Sequence, residues 1–288
     1  MRLLVPGGGG MVARMLGAIA PSRGHEAVLV PKAQWDIADP AAAEAALKLH
    51  RPDAVVNCAG FTNVDLCETR RDEAFRANAE GPGVLARASA SAGIPFLHLS
   101  TDYVFDGAGK SPYPVNAPTG PASVYGQSKL AGEEAVAEAV GHWVVLRTAW
   151  VYGPWGRHFP GTILRLAREQ GRLKVVDDQV GSPTYTVDLA EAILGLLEVR
   201  ARGVVHFTNA GECTWHGFAK EILRLSGLSV PVEAVPSTAY PRPARRPAYS
   251  VLSLDRYTSL TGRRSRPWEE ALAEFLLNQD IAPVRMPA

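Results

Sequence analysis

Cysteine is scarce in this chain of 288 residues, with only Cys58, Cys67 and Cys213 present. They are widely spaced, odd in number and without a C-x-x-C, so neither a disulfide framework nor a zinc site is expected, and a reducing compartment fits. An excess of one charge is also missing: 30 Lys and Arg against 29 Asp and Glu leave a net charge of +1. That balance argues against a nucleic acid or a membrane surface as partner, since both call for a clear basic excess. No stretch approaches 18 apolar residues, and the opening run MRLLVP is far too short for a signal or a membrane span. The expected location is the cytoplasm. The seven histidines form no H-E-x-x-H or similar pair and read as surface or packing residues.

What is present is a pattern of short, continuously apolar runs bounded by turn residues: RLLVP at Arg2, EAVLVP at Glu26, DAVVNCAG at Asp53, IPFLHLS at Ile94 and HWVVLRTAWVYG at His142. Continuous rather than alternating apolarity marks strands buried on both faces, as in a parallel sheet. Helix-like stretches lie at Met11 to Ala20, Ala41 to His50, Glu73 to Ala92 and Ser123 to Val140. Such alternation predicts an α/β fold, a doubly wound parallel sheet of the Rossmann type with its crevice at the carboxyl ends of the strands. After Gly153 the texture changes to amphipathic segments with two further strand candidates, at Leu173 and Val204. The expected organisation is a dinucleotide-binding domain over 1–154, with elements from about 173–200 returning to it, and a smaller α/β substrate-binding lobe over 155–288. The proline-rich stretch Ala234 to Arg246 reads as an ordered loop.

Three places carry chemistry. The first strand runs into Gly7-Gly8-Gly9-Gly10-Met11-Val12-Ala13. This G-x-x-G-x-x-A pattern puts glycine where backbone approaches a pyrophosphate and a small residue where helix meets strand, and the helix amides and dipole attract the phosphates. The second strand ends at Val30-Pro31-Lys32, without the acid that would grip a ribose 2′-hydroxyl, and Lys32 suits a 2′-phosphate. Asp36-Ile37 lies where the chain edges an adenine, and Asn57-Cys58-Ala59-Gly60 offers small residues beside a nicotinamide. The fourth strand ends in Ser100-Thr101-Asp102-Tyr103, whose hydroxyls face the crevice. Finally, Tyr125 and Lys129 stand one helical turn apart on one face. A phenol titrates near pH 10, and a cation beneath it is expected to lower that value and ready it to pass a proton.

In order along the chain, GGGGMVA, NCAGFTNVD, STDYVF, YGQSK, RTAWVYG, DDQVGSPTYTVDLA, TWHGFA and YPRPARRPAYS resemble the extended short-chain dehydrogenase/reductases, and in particular the dTDP-4-dehydrorhamnose reductase family. The resemblance spans nearly the whole chain. It implies reduction of the C4 ketone of dTDP-4-dehydro-L-rhamnose, with NADPH or NADH giving the hydride and Tyr125 the proton. Thr101 would hydrogen-bond the reacting oxygen, and Lys129 would hold the nicotinamide ribose and depress the tyrosine pKa. The cofactor contacts it implies are Gly7, Gly10, Met11, Val12, Asp36, Ile37, Gly60, Phe61, Thr62, Tyr125 and Lys129; the substrate contacts are Thr101, Asp102 and Trp150. Related dehydratases carry Thr-Asp-Glu here, whereas Asp102 is followed by Tyr103, so the second acid needed to eliminate water is missing. Some members hold magnesium at a dimer interface through glutamates, but the matching positions are Met15 and Val187, which cannot ligate a hard cation. No metal is expected, and the chain is a monomer or a homodimer. His158 stands where many members have asparagine. Another NAD(P)-dependent sugar-nucleotide reductase or epimerase, or a regulatory subunit like that of methionine adenosyltransferase, are the alternatives.

Overall fold

The apolar runs of the first half become strands because both of their faces are covered. In the computed structural model, which describes residues 1–278, the order is β1 (Arg2–Pro6), α1 (Met11–Ile19), β2 (Glu26–Val30), α2 (Pro40–His50), β3 (Ala54–Asn57), α3 (Val64–Thr69), α4 (Arg71–Phe75), α5 (Gly81–Ser91), β4 (Phe96–Thr101), α6 (Val124–Ala137) and β5 (Trp143–Thr148). The second half continues with β6 (Val151–Tyr152), α7 (Phe159–Gln170), β7 (Leu173–Val176), β8 (Val180–Gly181), β9 (Thr184–Tyr185), α8 (Thr186–Glu198), β10 (Gly203–His206), β11 (Cys213–Thr214), α9 (Trp215–Leu225), β12 (Val232–Val235), α10 (Asp255–Thr261) and α11 (Trp268–Leu277). Residues 279–288, the end of the range expected for the second lobe, lie outside the described residues.

Six strands form one parallel sheet in the order β10-β5-β4-β3-β1-β2. Leu16, Leu189 and Ile193 of α1 and α8 close one face. Ala43, Leu47, Leu85 and Val136 of α2, α5 and α6 close the other. Each aliphatic side chain so buried contributes about 1.5–3 kcal/mol. The winding reverses between β1 and β3, and a doubly wound sheet binds its ligand at that point, beyond the carboxyl ends of the strands.

The second lobe gathers around Tyr152, Tyr185, Phe218, Trp268 and Phe275. Helix α9 buries Phe218, Ala219, Ile222 and Leu223, the i, i+1, i+4, i+5 stripe of an amphipathic helix. Of the segment expected to return to the main sheet, β7 instead pairs with β12 inside the second lobe. The return is made by α8, which packs on α1, and by β10 beyond it, which extends the sheet beside β5. The proline-rich stretch opens as the end of β12, makes a short turn at Ser237–Ala239 and then crosses to the first lobe, where the Ala244 amide donates to Asp65 Oδ1 at 3.3 Å.

Candidate active site

The glycine turn is built by sterics. Gly7 has φ +81°, and a Cβ there would lie 2.5 Å from the Ala59 amide nitrogen; one at Gly8 would lie 2.8 Å from the Leu29 carbonyl carbon. The turn is therefore wedged between the ends of β2 and β3, closed by the Gly10 amide on the Gly7 carbonyl at 2.9 Å. Gly9, by contrast, has nothing within 4 Å of where a Cβ would stand. Helix α1 begins at Met11 with no side chain capping it, so the first amides, Met11 and Val12 included, are free for a diphosphate. Ala13 is fully buried against the sheet. The residues thus fit a dinucleotide.

Asp36 and Lys32 are exposed on the rim beyond β2. Asp36 pairs with Arg76 at 2.8 Å, and that bond is the main reason its carboxyl sits below the ordinary value. Ile37 lies over Gly81, where a Cβ would come within 2.6 Å of it. The Gly60-Phe61-Thr62 segment is held by Asn78: its Oδ1 accepts from the Phe61 amide at 2.7 Å and its Nδ2 donates to the Phe61 carbonyl at 3.0 Å. Asn78 sits in a π-helical turn, Arg76–Glu80, that interrupts the single helix expected over Glu73 to Ala92. Its Nδ2 also reaches Ser128 Oγ, which donates to the Tyr125 carbonyl at 2.8 Å. One buried amide thus ties the Gly60-Phe61-Thr62 segment to the helix carrying Tyr125. Helix α6 comes this close because a Cβ at Gly132 would lie 2.0 Å from the Asn78 carbonyl oxygen.

Thr101 and Asp102 close β4 and are both buried. The Thr101 hydroxyl donates to Asp102 Oδ1 at 2.9 Å, while Asp102 Oδ2 is buried without a hydrogen-bond partner. Burial pushes Asp102 up to about 6, with the Ser250 and Thr101 hydroxyls pulling it part of the way back. Tyr125 packs edge-on against Tyr103, ring centroids 5.5 Å apart. The expected lowering of the phenol pKa does not occur: burial raises it, and only the neighbouring Thr101 hydroxyl opposes the rise. The Lys129 ammonium is not turned to the phenol. Its Nζ donates to the Leu99 carbonyl at 2.6 Å and lies 3.2 Å from His98 Nε2, and burial brings its own pKa down to about 8.

Beneath this cluster lie polar groups that sequence reasoning passed over. Glu133, two turns beyond Tyr125 on the same face of α6, accepts from Ser100 Oγ at 2.5 Å and pairs with Arg147 at 2.6 Å, both partners 5% exposed. Arg147 also reaches His206 Nε2 at 3.4 Å. His98 and His206 are fully buried and pack against Phe96 and Phe105, so of the surface or packing roles expected for the histidines these two take packing, with polar contacts added. Burial, then the neighbouring charge, holds both below the ordinary imidazole value, His206 down to about 3. The i, i+4, i+8 spacing of Tyr125, Lys129 and Glu133 was the available signal for Glu133.

Trp150 follows β5, two residues past the Thr148 that pairs with Thr101. It adopts φ +47°, is half-buried rather than core, and stacks on Trp215 of the second lobe at 3.4 Å. Arg246 reaches Tyr103 Oη at 3.1 Å and Asp65 at 3.0 Å, whereas Arg266 is engaged by Asp188 and Glu274. His158 caps α7, its Nδ1 accepting from the Gly161 amide at 3.2 Å, a role an asparagine fills equally well. Met15 is buried in the main core and Val187 packs against it.

A family model described as the RmlD substrate binding domain matches residues 1–281. A spore coat polysaccharide biosynthesis protein, SpsK, of Bacillus subtilis is 40% identical over 281 residues, 98% of this chain and 99% of that one. A dTDP-4-dehydrorhamnose reductase of Mycobacterium tuberculosis is 44% identical over 283 residues, 96% of this chain and 92% of its own. Among solved structures, the dTDP-4-dehydrorhamnose reductase of Bacillus anthracis in complex with NADP superposes with a TM-score of 0.93 at 33% identity, over 96% of this chain and 99% of that one.

Proposed function

The chain belongs to the RmlD substrate binding domain family, and on that premise we propose that it reduces the C4 ketone of dTDP-4-dehydro-L-rhamnose to give dTDP-L-rhamnose, using NADPH. The observation that carries the reading is convergence: the glycine turn with its open helix amides, the Thr101-Asp102 pair and the Tyr125/Lys129 pair all meet at the carboxyl edge of one sheet.

The Gly7–Gly10 turn and the first amides of α1 hold the diphosphate, and Lys32 meets the 2′-phosphate. Asp36, Ile37 and the Gly60-Phe61-Thr62 segment line the rest of the cofactor. Bound NADPH supplies the hydride. Tyr125 gives its proton to the C4 oxygen. The phenol is protonated at neutral pH and so available as the acid; burial raises its pKa and weakens it, which the Thr101 hydroxyl partly offsets. Thr101 hydrogen-bonds the same oxygen, and Lys129 holds the nicotinamide ribose. The unpartnered Asp102 Oδ2 offers an acceptor to a sugar hydroxyl, and the Trp150 indole offers an apolar face to the ring. The test supplies dTDP-glucose with an upstream 4,6-dehydratase and 3,5-epimerase, adds this protein and follows NADPH absorbance while the sugar is identified. Stoichiometric NADPH loss with a dTDP-6-deoxyhexose reduced at C4 supports the reading; no NADPH loss refutes it.

A further inference from the structure

Lys129 is expected to act as a fixed cation, yet the hydrogen bonds around it run in a sense that disfavours one. The Ala59 amide donates to Asn57 Oδ1 at 3.0 Å, which fixes the orientation of that side-chain amide. Asn57 Nδ2 therefore faces His98 Nδ1, at 3.1 Å, and an amide nitrogen can only donate. His98 Nδ1 must accept, so in the neutral ring the proton resides on Nε2, which lies 3.2 Å from Lys129 Nζ. A ring N–H opposite an ammonium sets donor against donor. A neutral amine resolves the conflict: its lone pair accepts from His98 while one of its hydrogens goes to the Leu99 carbonyl at 2.6 Å. Asn57 and His98 are fully buried, so water cannot repair a mismatched link and an unmatched donor there stays unsatisfied.

We propose that the chain Ala59–Asn57–His98 holds Lys129 as the neutral amine in the ligand-free protein, making His98 a positioning residue that touches neither cofactor nor substrate. The inference deepens the reading of Tyr125 and Lys129 as the reacting pair and rests on it for its consequence, which is that Lys129 becomes charged only when the bound cofactor gives the ammonium new acceptors. Around Lys129, the Cys58 thiol beyond β3 and Glu133 on α6 both favour the charged form; Glu133 is itself engaged by Arg147 from β5, and Tyr125 lies one turn back. Burial opposes the charged form and brings the amine to about 8, in the same direction as the hydrogen-bond sense.

The experiment is an NMR titration of ligand-free protein carrying lysine labelled with 13C at Cε. The chain has six lysines, and the Lys129 signal is identified by its loss in Lys129→Met. In the wild type it titrates apart from the others and below pH ~7, as a neutral resting amine requires, and a midpoint above that overturns the proposal. In His98→Gln, whose amide oxygen can accept from an ammonium, the midpoint rises by about one pH unit, tenfold in the protonation equilibrium. A Lys129 midpoint that coincides with the exposed lysines, or one that His98→Gln leaves in place, overturns the proposal. Should that variant fail to fold, the two-bond 1H–15N spectrum of wild-type histidines decides: a bare Nδ1 and protonated Nε2 on His98 support it, and a proton on Nδ1 overturns it. Neither readout involves substrate, so failure here is distinct from failure of the proposed reaction.

Discussion

The two lobes both bury apolar cores, but they differ in what lies beside those cores. Under the carboxyl edge of the main sheet the buried side chains include Asn57, His98, Ser100, Thr101, Asp102, Lys129, Glu133 and Arg147. The core of the second lobe is instead a continuous aromatic cluster, with Tyr152, Tyr185 and Phe218 all within reach of Phe275 or Trp268. Buried polar groups hold one another in a single arrangement when all are matched, and they leave costly remainders when one is lost. Aromatic packing tolerates adjustment but offers no proton. The difference teaches where titratable groups other than tyrosine are concentrated: along the carboxyl edge of the main sheet, and not in the aromatic interior of the second lobe.

The largest effect is expected where the polar edge is broken. Arg147→Met leaves the Glu133 carboxylate buried without its partner and is expected to lower stability by about 3–5 kcal/mol, while the double variant Arg147→Met/Glu133→Leu recovers most of that. Denaturant titration checks it, and a single variant as stable as wild type would dissolve the contrast between the lobes. Phe218→Ala removes a fully buried ring from the other lobe and is expected to cost about 3 kcal/mol. Yet NADPH titration should find cofactor affinity almost unchanged, because the Gly7–Gly10 turn lies in the other lobe. A smaller change is expected from Trp150→Ala, which forfeits the Trp215 stack, worth about 0.5–1.5 kcal/mol, and raises KM for the sugar nucleotide more than it lowers kcat. Steady-state kinetics reads that split.

A pH dependence is expected as well. His206 stays neutral in the fold down to about 3, whereas in the unfolded chain it takes up a proton below about 6.5. The stability tied to the neutral ring is therefore whole above 6.5 and is lost as pH falls from 6.5 toward 3. Asp102 works the other way: its carboxyl, raised to about 6, binds a proton in the fold before the unfolded chain does, so its contribution grows as pH falls through 6. Unfolding midpoints taken from pH 7 to 5 should fall less steeply in His206→Gln than in the wild type. Equal slopes would remove His206 as a source of acid sensitivity.

The glycine turn and the Tyr125/Lys129 pair were legible because short covalent spacing fixes them: two residues between the glycines, one turn between phenol and amine. Gly7 would be recognised in almost any context, since its backbone must meet Ala59. The direction in which Lys129 points was not legible, because Leu99 and His98 reach it from another strand. Asn78 was missed for the same reason; its partners Phe61 and Ser128 come from elements on either side of it. Of the stretch expected to return to the main sheet, α8 does so while β7 does not, because apolarity marks a strand without naming its partner, and β12 claims it first.

The proposed reduction turns on one proton, and comparing NADPH oxidation by wild type and Tyr125→Phe on dTDP-4-dehydro-L-rhamnose tests it most directly, with NADPH affinity measured on both proteins. Turnover is expected to fall by about 10²–10⁴ with cofactor affinity kept, the share a positioned general acid contributes. Turnover that survives the loss of the hydroxyl would contradict it.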